Sequence, residues 1–441
     1  MPTRRDQIEQ KSLGYNLLKF HSDIYTRIYF KTTVVGMDKV PFDETLIFAL
    51  NHQNALSDAL VLLAVRKWQL IFLARADIFK KQSVSDILTF LKIMPVYRIR
   101  DGYSNLQMND EIFLKTLDVL KKHNSLALMP EGNHGDKRNL RPLKKGIARI
   151  AFQAEEASGN SLKIKIIPVG LEYTDYIKFR SKLLIRFGEL VEVDKFLPLY
   201  KENPAQAYNA LLDEFANNIK PEMIHIRDDE HYFNIEMLRK VFSPLYINKN
   251  HLPNDHNTLF EVDKKVIDYT EKIKTSQPDS FTMLMEKVSG YSEVLKINQL
   301  KVEQYPFKTS LVSLFLKIFL LIITIPLMLY GLINNIIWIW SVFKLSKKFK
   351  DPQFHSSIKL AGGMLLFPVV YLLQTIIFLL ISGSILLTLA YIVSLPISAV
   401  ILYNWRRYGY SVIDHIHLLK AKPSLKELKK RHDDIYEMIE I

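Results

Sequence analysis

Apolar positions fall into distinct regimes along the chain. In 13–30, Leu13, Leu17, Phe20, Ile24 and Ile28 recur at helical spacing, with Lys19 and Arg27 among them. This predicts an amphipathic helix within 1–30, lying on a bilayer surface or packed on the domain that follows. In 31–200, short apolar runs alternate with helical stretches. The runs 45–50 (TLIFAL), 70–74 (LIFLA), 125–129 (SLALM), 165–171 (KIIPVGL) and 183–187 (LLIRF) read as buried strands. Helical spacing falls between them, near 57–67, 80–92, 108–123 and 141–158. The alternation predicts an α/β domain, a mixed-sheet sandwich with helices on both faces. Residues 201–305 are charged and helical in pattern, punctuated by Pro204, Pro221, Pro244, Pro253 and Pro278. They read as a helical accessory region.

Two apolar blocks follow, 310–343 and 360–405, within a predicted transmembrane region of 306–405. A spanning helix needs ~20 apolar residues. The second block holds two such lengths, split by Ser382-Gly383-Ser384, which predicts a helical hairpin. The first is long for one helix and short for two, with Pro326, Gly331 and the pair Asn334-Asn335 inside it. Lys344, Lys347, Lys348, Lys350 and Lys359 lie between the blocks, and Arg406 and Arg407 follow the second. Positive residues favour the cytoplasmic side, so a short or re-entrant hairpin is expected for the first block too. The tail, 406–441, reads as a cytoplasmic amphipathic helix.

Charge changes the picture next. The net charge is +13 over 441 residues, which suits a membrane surface, anionic small molecules or nucleic acid. The long apolar runs favour the membrane, and no nucleic-acid partner is expected. With no cysteine, disulfides, thiolate nucleophiles and thiolate metal sites are excluded. The first residues lack the continuous apolar run of a secretory signal, so the first domain is expected in the cytoplasm. The lysine- and isoleucine-rich composition points to a bacterial inner membrane.

The candidate chemistry sits in 45–65 (TLIFALNHQNALSDALVLLAV). An apolar strand ends at Leu50, the polar turn Asn51-His52-Gln53-Asn54 follows, and Ser57, a good N-cap residue, opens an apolar helix. His52 thus lies at the C-terminal end of a buried strand, where open α/β sheets bind ligands. On one continuous helix, His52 and Asp58 would be rotated by about 600° and would not share a face. The bend must therefore fold the imidazole back towards the carboxylate. A hydroxyl becomes a competent nucleophile when a base takes its proton as it attacks. Histidine titrates near neutrality, and a carboxylate can fix its tautomer. The substrate can supply the hydroxyl itself. A lone histidine more often caps a helix or satisfies a turn, and that reading stands beside the catalytic one.

Three further clusters bear on the choice. The stretch 93–100 (IMPVYRIR) brings Arg98 and Arg100 out of an extended segment, and arginine grips phosphate bidentately. The stretch 126–132 (LALMPEG) is a buried strand running into a Pro-Glu-Gly turn. Asn133, His134, Lys137, Arg138, Arg141, Lys144 and Lys145 follow it, a cationic loop suited to an anion. The stretch 166–170 (IIPVG) is another strand with a proline-glycine exit. His225, Asp228, Asp229 and His231 also lie close in sequence; the segment is polar without a further ligand, and a solvated helix is expected rather than a metal site.

Taken in order, these four blocks resemble the glycerolipid acyltransferase family, which includes glycerol-3-phosphate and 1-acylglycerol-3-phosphate acyltransferases. The resemblance covers residues 30–190. His52 and Asp58 match the first block, Arg98 the second, Pro130, Glu131 and Gly132 the third, and Ile167, Pro168 and Val169 the fourth. Two departures stand out. Five residues rather than four separate His52 from Asp58, as in the branch with glycerol-phosphate and dihydroxyacetone-phosphate acyltransferases. The third block reads Glu-Gly-Asn-His where Glu-Gly-Thr-Arg is usual, so Arg138 or Arg141 is expected to replace the missing arginine as a phosphate ligand.

The resemblance implies a membrane-bound O-acyltransferase of phospholipid synthesis that needs no metal or other cofactor. His52 would deprotonate the acceptor hydroxyl, Asp58 would orient it, and Arg98, Glu131 and Gly132 would help bind a glycerol-phosphate acceptor. The donor would be acyl-CoA or acyl-carrier protein. Other lysolipids or dihydroxyacetone phosphate remain open as acceptors. A transporter, or a scaffold whose acyltransferase domain has decayed, is the rival from another class. The transporter would want ionisable groups within the spans, where Lys317 and Gln374 are nearly the only candidates.

Overall fold

The computed structural model describes residues 8, 10, 12–65, 69–96 and 108–441. The chain forms two compact units. One comprises Met1–His225 with Phe349–Leu360, the other Ile226–Lys348 with Ala361–Ile441.

The first unit is built on a mixed sheet. Its strands are β1 (Lys31–Val35), β2 (Leu46–Leu50), β3 (Ile71–Arg75), β4 (Ile93–Val96), β5 (Leu126–Leu128), β6 (Lys165–Tyr173), β7 (Lys182–Phe187) and β8 (Val191–Glu192). They are ordered β1-β7-β6-β2-β5-β3-β4, with β8 pairing beside β6. The run from β6 to β4 is parallel; β7 and β8 pair antiparallel to β6, and β1 runs parallel to β7. β2 is central, with Phe48 opposite Ala127 on one side and Ile167 on the other.

Helices cover both faces, as the alternation predicts. Along β2, Ile47 and Ala49 join a core with Ala151 and Phe152 of α5 (Gly146–Ala157) and with Leu211 and Phe215 of α7 (Pro204–Ile219). Leu46, Phe48 and Leu50 join a second core with Val61 and Leu62 of α2 (Leu56–Val65). All five β2 side chains are fully buried, which is why the run is continuously apolar rather than alternating. α3 (Gln82–Phe90), α4 (Met108–Lys121) and α6 (Leu197–Glu202) complete the unit.

The N-terminal helix α1 (Leu13–Tyr29) faces two ways. Tyr15, Lys19, Ser22, Thr26 and Tyr29 are buried, and Lys19 and Arg27 donate to the carbonyls of Leu63 and Ala64 at the end of α2. Leu13, Leu17, Phe20, Ile24 and Ile28 point outward; Leu13 is 74% and Phe20 67% exposed. The helix packs through its polar side and presents its apolar stripe to the surroundings.

The second unit holds α8 (Tyr232–Lys249), α9 (His256–Ser276), α10 (Pro278–Ile297) and α15 (Leu425–Glu437), which pack on one another. It also holds the apolar helices α11 (Leu311–Ile323), α12 (Ile325–Ser346) and α14 (Ile385–Lys420), and most of α13 (Pro352–Ser382). The first apolar block breaks at Thr324 and the second at Ser382-Gly383-Ser384. Among the described residues, three helices are long and apolar enough to cross a membrane: Ile325–Ser346, Phe354–Ser382 and Ile385–Lys420. α11 is about 20 Å long and falls short of the ~30 Å hydrocarbon core.

Candidate active site

β2 delivers the turn 51–54 to the end of the sheet. Asn51, fully buried, locks it to β6: its side-chain oxygen accepts from Leu171 N at 2.7 Å, and its Nδ2 donates to Leu171 O at 3.1 Å. Ala55 then adopts a left-handed backbone, φ 46°, and this reversal starts α2 at Leu56, one residue before Ser57. The reversal performs the fold-back that the spacing demands. His52 Nδ1 lies 2.9 Å from Asp58 Oδ2, with the carboxylate fully buried and the imidazole 16% exposed.

Asp58 is held on all sides. Its Oδ2 also accepts from the amides of Gln53 (2.9 Å) and Asn54 (2.8 Å), and its Oδ1 accepts from Tyr173 Oη at 2.9 Å. Burial, and next the Asp58 carboxylate, push the Tyr173 phenol well above its ordinary range, so it remains a donor. With Nδ1 committed to Asp58, Nε2 is the ring nitrogen open to a substrate. Tyr176 Oη donates to Gln53 Oε1 at 3.1 Å, and Asn54 Nδ2 donates to the Tyr176 carbonyl at 3.2 Å. Neither tyrosine carries a sequence signal beyond its place at or just past the end of the IIPVGLEY strand.

The Pro-Glu-Gly turn packs against this one. His52 N donates to Glu131 Oε1 at 3.1 Å, and Gly135 N donates to His52 O at 3.3 Å. Burial pushes the Glu131 carboxyl from 4.5 up to about 7, against the pull of Arg141 and His52. Gly132 sits at φ +74°, and an added Cβ would meet Lys144 at 3.3 Å, so the tight turn suits glycine.

The two expected replacement arginines face inward. Arg141 lies 2.5 Å from Glu131 Oε2 and donates to the His52 carbonyl. Arg138 pairs with Glu172 at 2.7 Å, donates to Tyr173 O and stacks its guanidinium 5.1 Å from the Tyr176 ring. Arg141 braces the turn that carries His52, and Arg138 braces the end of β6. Arg98 and Arg100 lie outside the described residues. His52, Asp58, Glu131, Gly132, Arg138 and Arg141 converge on one end of the sheet. The other cluster divides: His225 Nδ1 accepts from Leu140 N, while His231 and Lys274 pair with Asp228.

A mixed sheet with a histidine–aspartate pair at its strand ends is the framework of an acyltransferase domain, and residues 31–172 match the Acyltransferase family model. Similar proteins include glycerol-3-phosphate O-acyltransferase 2 of Saccharomyces cerevisiae, 29% identical over 140 residues, which are 32% of this chain and 19% of that protein. The 1-acyl-sn-glycerol-3-phosphate acyltransferase BAT2, chloroplastic, of Brassica napus is 24% identical over 216 residues, 48% of this chain and 57% of that protein. The match thus spans about a fifth of the yeast protein's length. Among solved structures, the 1-acyl-sn-glycerophosphate acyltransferase PlsC from Thermotoga maritima aligns with a TM-score of 0.32 and 16% identity, over 47% of this chain and 85% of that one.

Proposed function

We propose that the protein is a membrane-bound O-acyltransferase that moves a fatty acyl group from a thioester donor, acyl-CoA or acyl-carrier protein, to a hydroxyl of glycerol 3-phosphate or 1-acylglycerol 3-phosphate. The observation that carries this reading is the His52–Asp58 pair, 2.9 Å apart, with the carboxylate fully buried and the imidazole partly exposed. Nε2 takes the acceptor proton as the hydroxyl oxygen attacks the thioester carbonyl. The tetrahedral intermediate collapses, the C–S bond breaks, and the departing thiolate takes the proton from the imidazolium. Asp58 holds the tautomer and stabilises the charged ring. The names of the yeast and Brassica relatives support a glycerol-phosphate acceptor.

Three observations support a membrane location: the three long apolar helices, the outward apolar stripe of α1, and the basic residues that follow the apolar blocks, Lys344, Lys347, Lys348 and Lys350 around the end of α12 and Arg406 and Arg407 within α14. Positive residues mark the cytoplasmic side. The stretch Phe349–Leu360, next to the lysines, belongs to the α/β unit. We infer a catalytic domain on the cytoplasmic face of a bacterial inner membrane, a reading supported by the lysines between the apolar blocks. This keeps the enzyme where a long-chain acyl product partitions.

The test is acyl transfer by the purified full chain. Labelled acyl-CoA and acyl-carrier protein are offered with a panel of phosphorylated glycerol acceptors, and products are identified by mass. His52→Ala should lower turnover by about 10²–10⁴-fold while the melting temperature is kept. Undiminished turnover in that variant, or a wild type that acylates none of the acceptors, rejects the reading.

A further inference from the structure

The first amides of α2 need partners from outside the helix. Ser57 lies just inside it, and its amide is capped by a hydroxyl 300 residues further along the chain: Ser57 N donates to Ser357 Oγ at 3.0 Å. It also donates to Asn54 O at 3.0 Å. Ser357 Oγ in turn donates to that same Asn54 carbonyl at 3.0 Å. A hydroxyl has one proton to give, so in the Ser57–Ser357 hydroxyl pair, 3.2 Å apart, Ser57 is the donor. Asn54 and Ser57 have no exposure and Ser357 only 3%, so water cannot replace these bonds.

They meet the chain around Ala55, whose φ of 46° lies in the left-handed region. A residue with a Cβ resists that conformation, which persists where its surroundings hold it. Ser357 grips both flanks of the reversal, the carbonyl of Asn54 before Ala55 and the amide of Ser57 after it. On the same two flanks stand the Asn54 amide, which donates to Asp58 Oδ2 at 2.8 Å, and Asp58 itself, next to Ser57. The reversal therefore sets where the carboxylate stands against His52.

Ser357 lies near the start of α13, in the stretch Phe349–Leu360 that belongs to the α/β unit. Leu360, fully buried, joins the core that holds Phe48, Val61 and Leu62, and anchors this stretch. Ser356 is also fully buried, but it meets side-chain atoms at longer range, Ser57 Oγ at 3.4 Å and Asn54 Nδ2 at 3.5 Å.

We propose that Ser357 is a positioning residue of the acyl-transfer site: its hydroxyl holds the reversal between Asn54 and Ser57 so that Asp58 stays on His52 Nδ1. This rests on the function proposed above. Ser357 bonds to the backbone of the turn rather than to the ring or the carboxylate, so it acts through Asp58. Without the hydroxyl, Asn54 O and Ser57 N each lose a bond in dry surroundings and the reversal relaxes. The imidazole then spends less time oriented for proton transfer. That lowers kcat and leaves substrate affinity alone.

The experiment uses the full-length protein in detergent, with the labelled donor and the acceptor that the wild type turns over fastest. It compares wild type, Ser357→Ala, Ser357→Thr, Ser356→Ala, Asp58→Asn and the double variant of Asp58→Asn with Ser357→Ala. Melting curves give the folded fraction, and kcat is expressed per folded protein. Ser357→Ala should lower kcat by about tenfold to a hundredfold, with each KM held within a factor of about two. Ser357→Thr keeps the hydroxyl and should hold kcat within about threefold of wild type. Ser356→Ala removes the same atom from a similar depth and should also stay within about threefold, because its contacts are long. In the Asp58→Asn background, Ser357→Ala should change kcat by less than about twofold. A residue that merely supports the fold would act by the same factor in both backgrounds. Unchanged kcat in Ser357→Ala overturns the proposal. So do equal losses with and without the Asp58 carboxylate, or a Ser356→Ala or Ser357→Thr variant as slow as Ser357→Ala. A wild type without acyl transfer fails the underlying reading instead.

Discussion

In the α/β unit, Leu46, Ile47 and Phe48 are fully buried; in the apolar helices, Leu380 and Ile381 are 79% and 81% exposed while Asn335 and Ser398 have no exposure at all. Similar side chains are thus sorted in opposite directions. Around the sheet, removal of apolar surface from water drives the sorting. Among α11–α14 that force is absent between helices if lipid surrounds them, and polar contacts with close packing take over. Asn335 Nδ2 donates to Ser398 Oγ at 2.9 Å, Tyr371 Oη donates to Asn335 Oδ1 at 2.6 Å, and Tyr391 Oη donates to Asn334 Oδ1 at 2.7 Å. Gly331 admits the α14 backbone; a Cβ there would meet Ser398 O at 2.7 Å. The contrast teaches that burial reports on the surrounding solvent as much as on the residue.

Equivalent truncations at the two kinds of leucine test this most strongly. Leu46→Ala should destabilise the α/β unit by about 2–5 kcal/mol in chemical denaturation of the purified protein. Leu372→Ala, on the outward side of α13, should barely register there. Leu372→Asp should instead impair insertion, at about 2.5–3.5 kcal/mol for a carboxylate at a span centre, measured by membrane fractionation. Equal sensitivity of the two leucines to alanine would erase the contrast.

Glu131 sharpens it on the water-facing side. Its carboxyl is pushed up to about 7 from 4.5, mainly by burial. Between those values the folded chain holds a proton that the unfolded chain has released, so this group makes stability fall as pH rises from 4.5 to 7. Glu131→Gln should flatten that part of the melting temperature–pH curve; an unaltered slope would refute the assignment. The smallest effect is expected at Asn335→Leu. Loss of an interhelical polar contact should cost about 0.6–1.7 kcal/mol, read as easier unfolding of the helices in detergent with acyl transfer unaffected.

Much of this contrast is legible in the chain. TLIFAL and KIIPVGL are uniformly apolar because β2 and β6 are covered on both faces, and the alternation of such runs with helices is enough to predict a sandwich. β1 and β8 carry no such signal. β1 reads KTTVV, is partly exposed and gains its place from the ladder with β7. The His52–Asp58 pairing is foreseeable from spacing and chemistry, but its means is not: Ala55 adopts a left-handed backbone in the absence of glycine. The inward commitment of Arg138 and Arg141 is hidden as well. A cationic run looks the same whether its charges meet solvent or buried carboxylates such as Glu172 and Glu131. Tyr173 and Ser357 are distant in sequence from the groups they serve, and local patterns carry no trace of long-range partners.

The return of Phe349–Leu360 to the α/β unit makes that unit discontinuous along the chain. A chain stopped after His225 would therefore hold the α/β unit without one of its own segments. Such a product would lack the hydroxyls that meet Ser57 and Asn54 and the side chain of Leu360 that plugs the layer under β2. Recovering it calls for splicing the missing stretch back through a designed tether, or supplying it as a separate peptide.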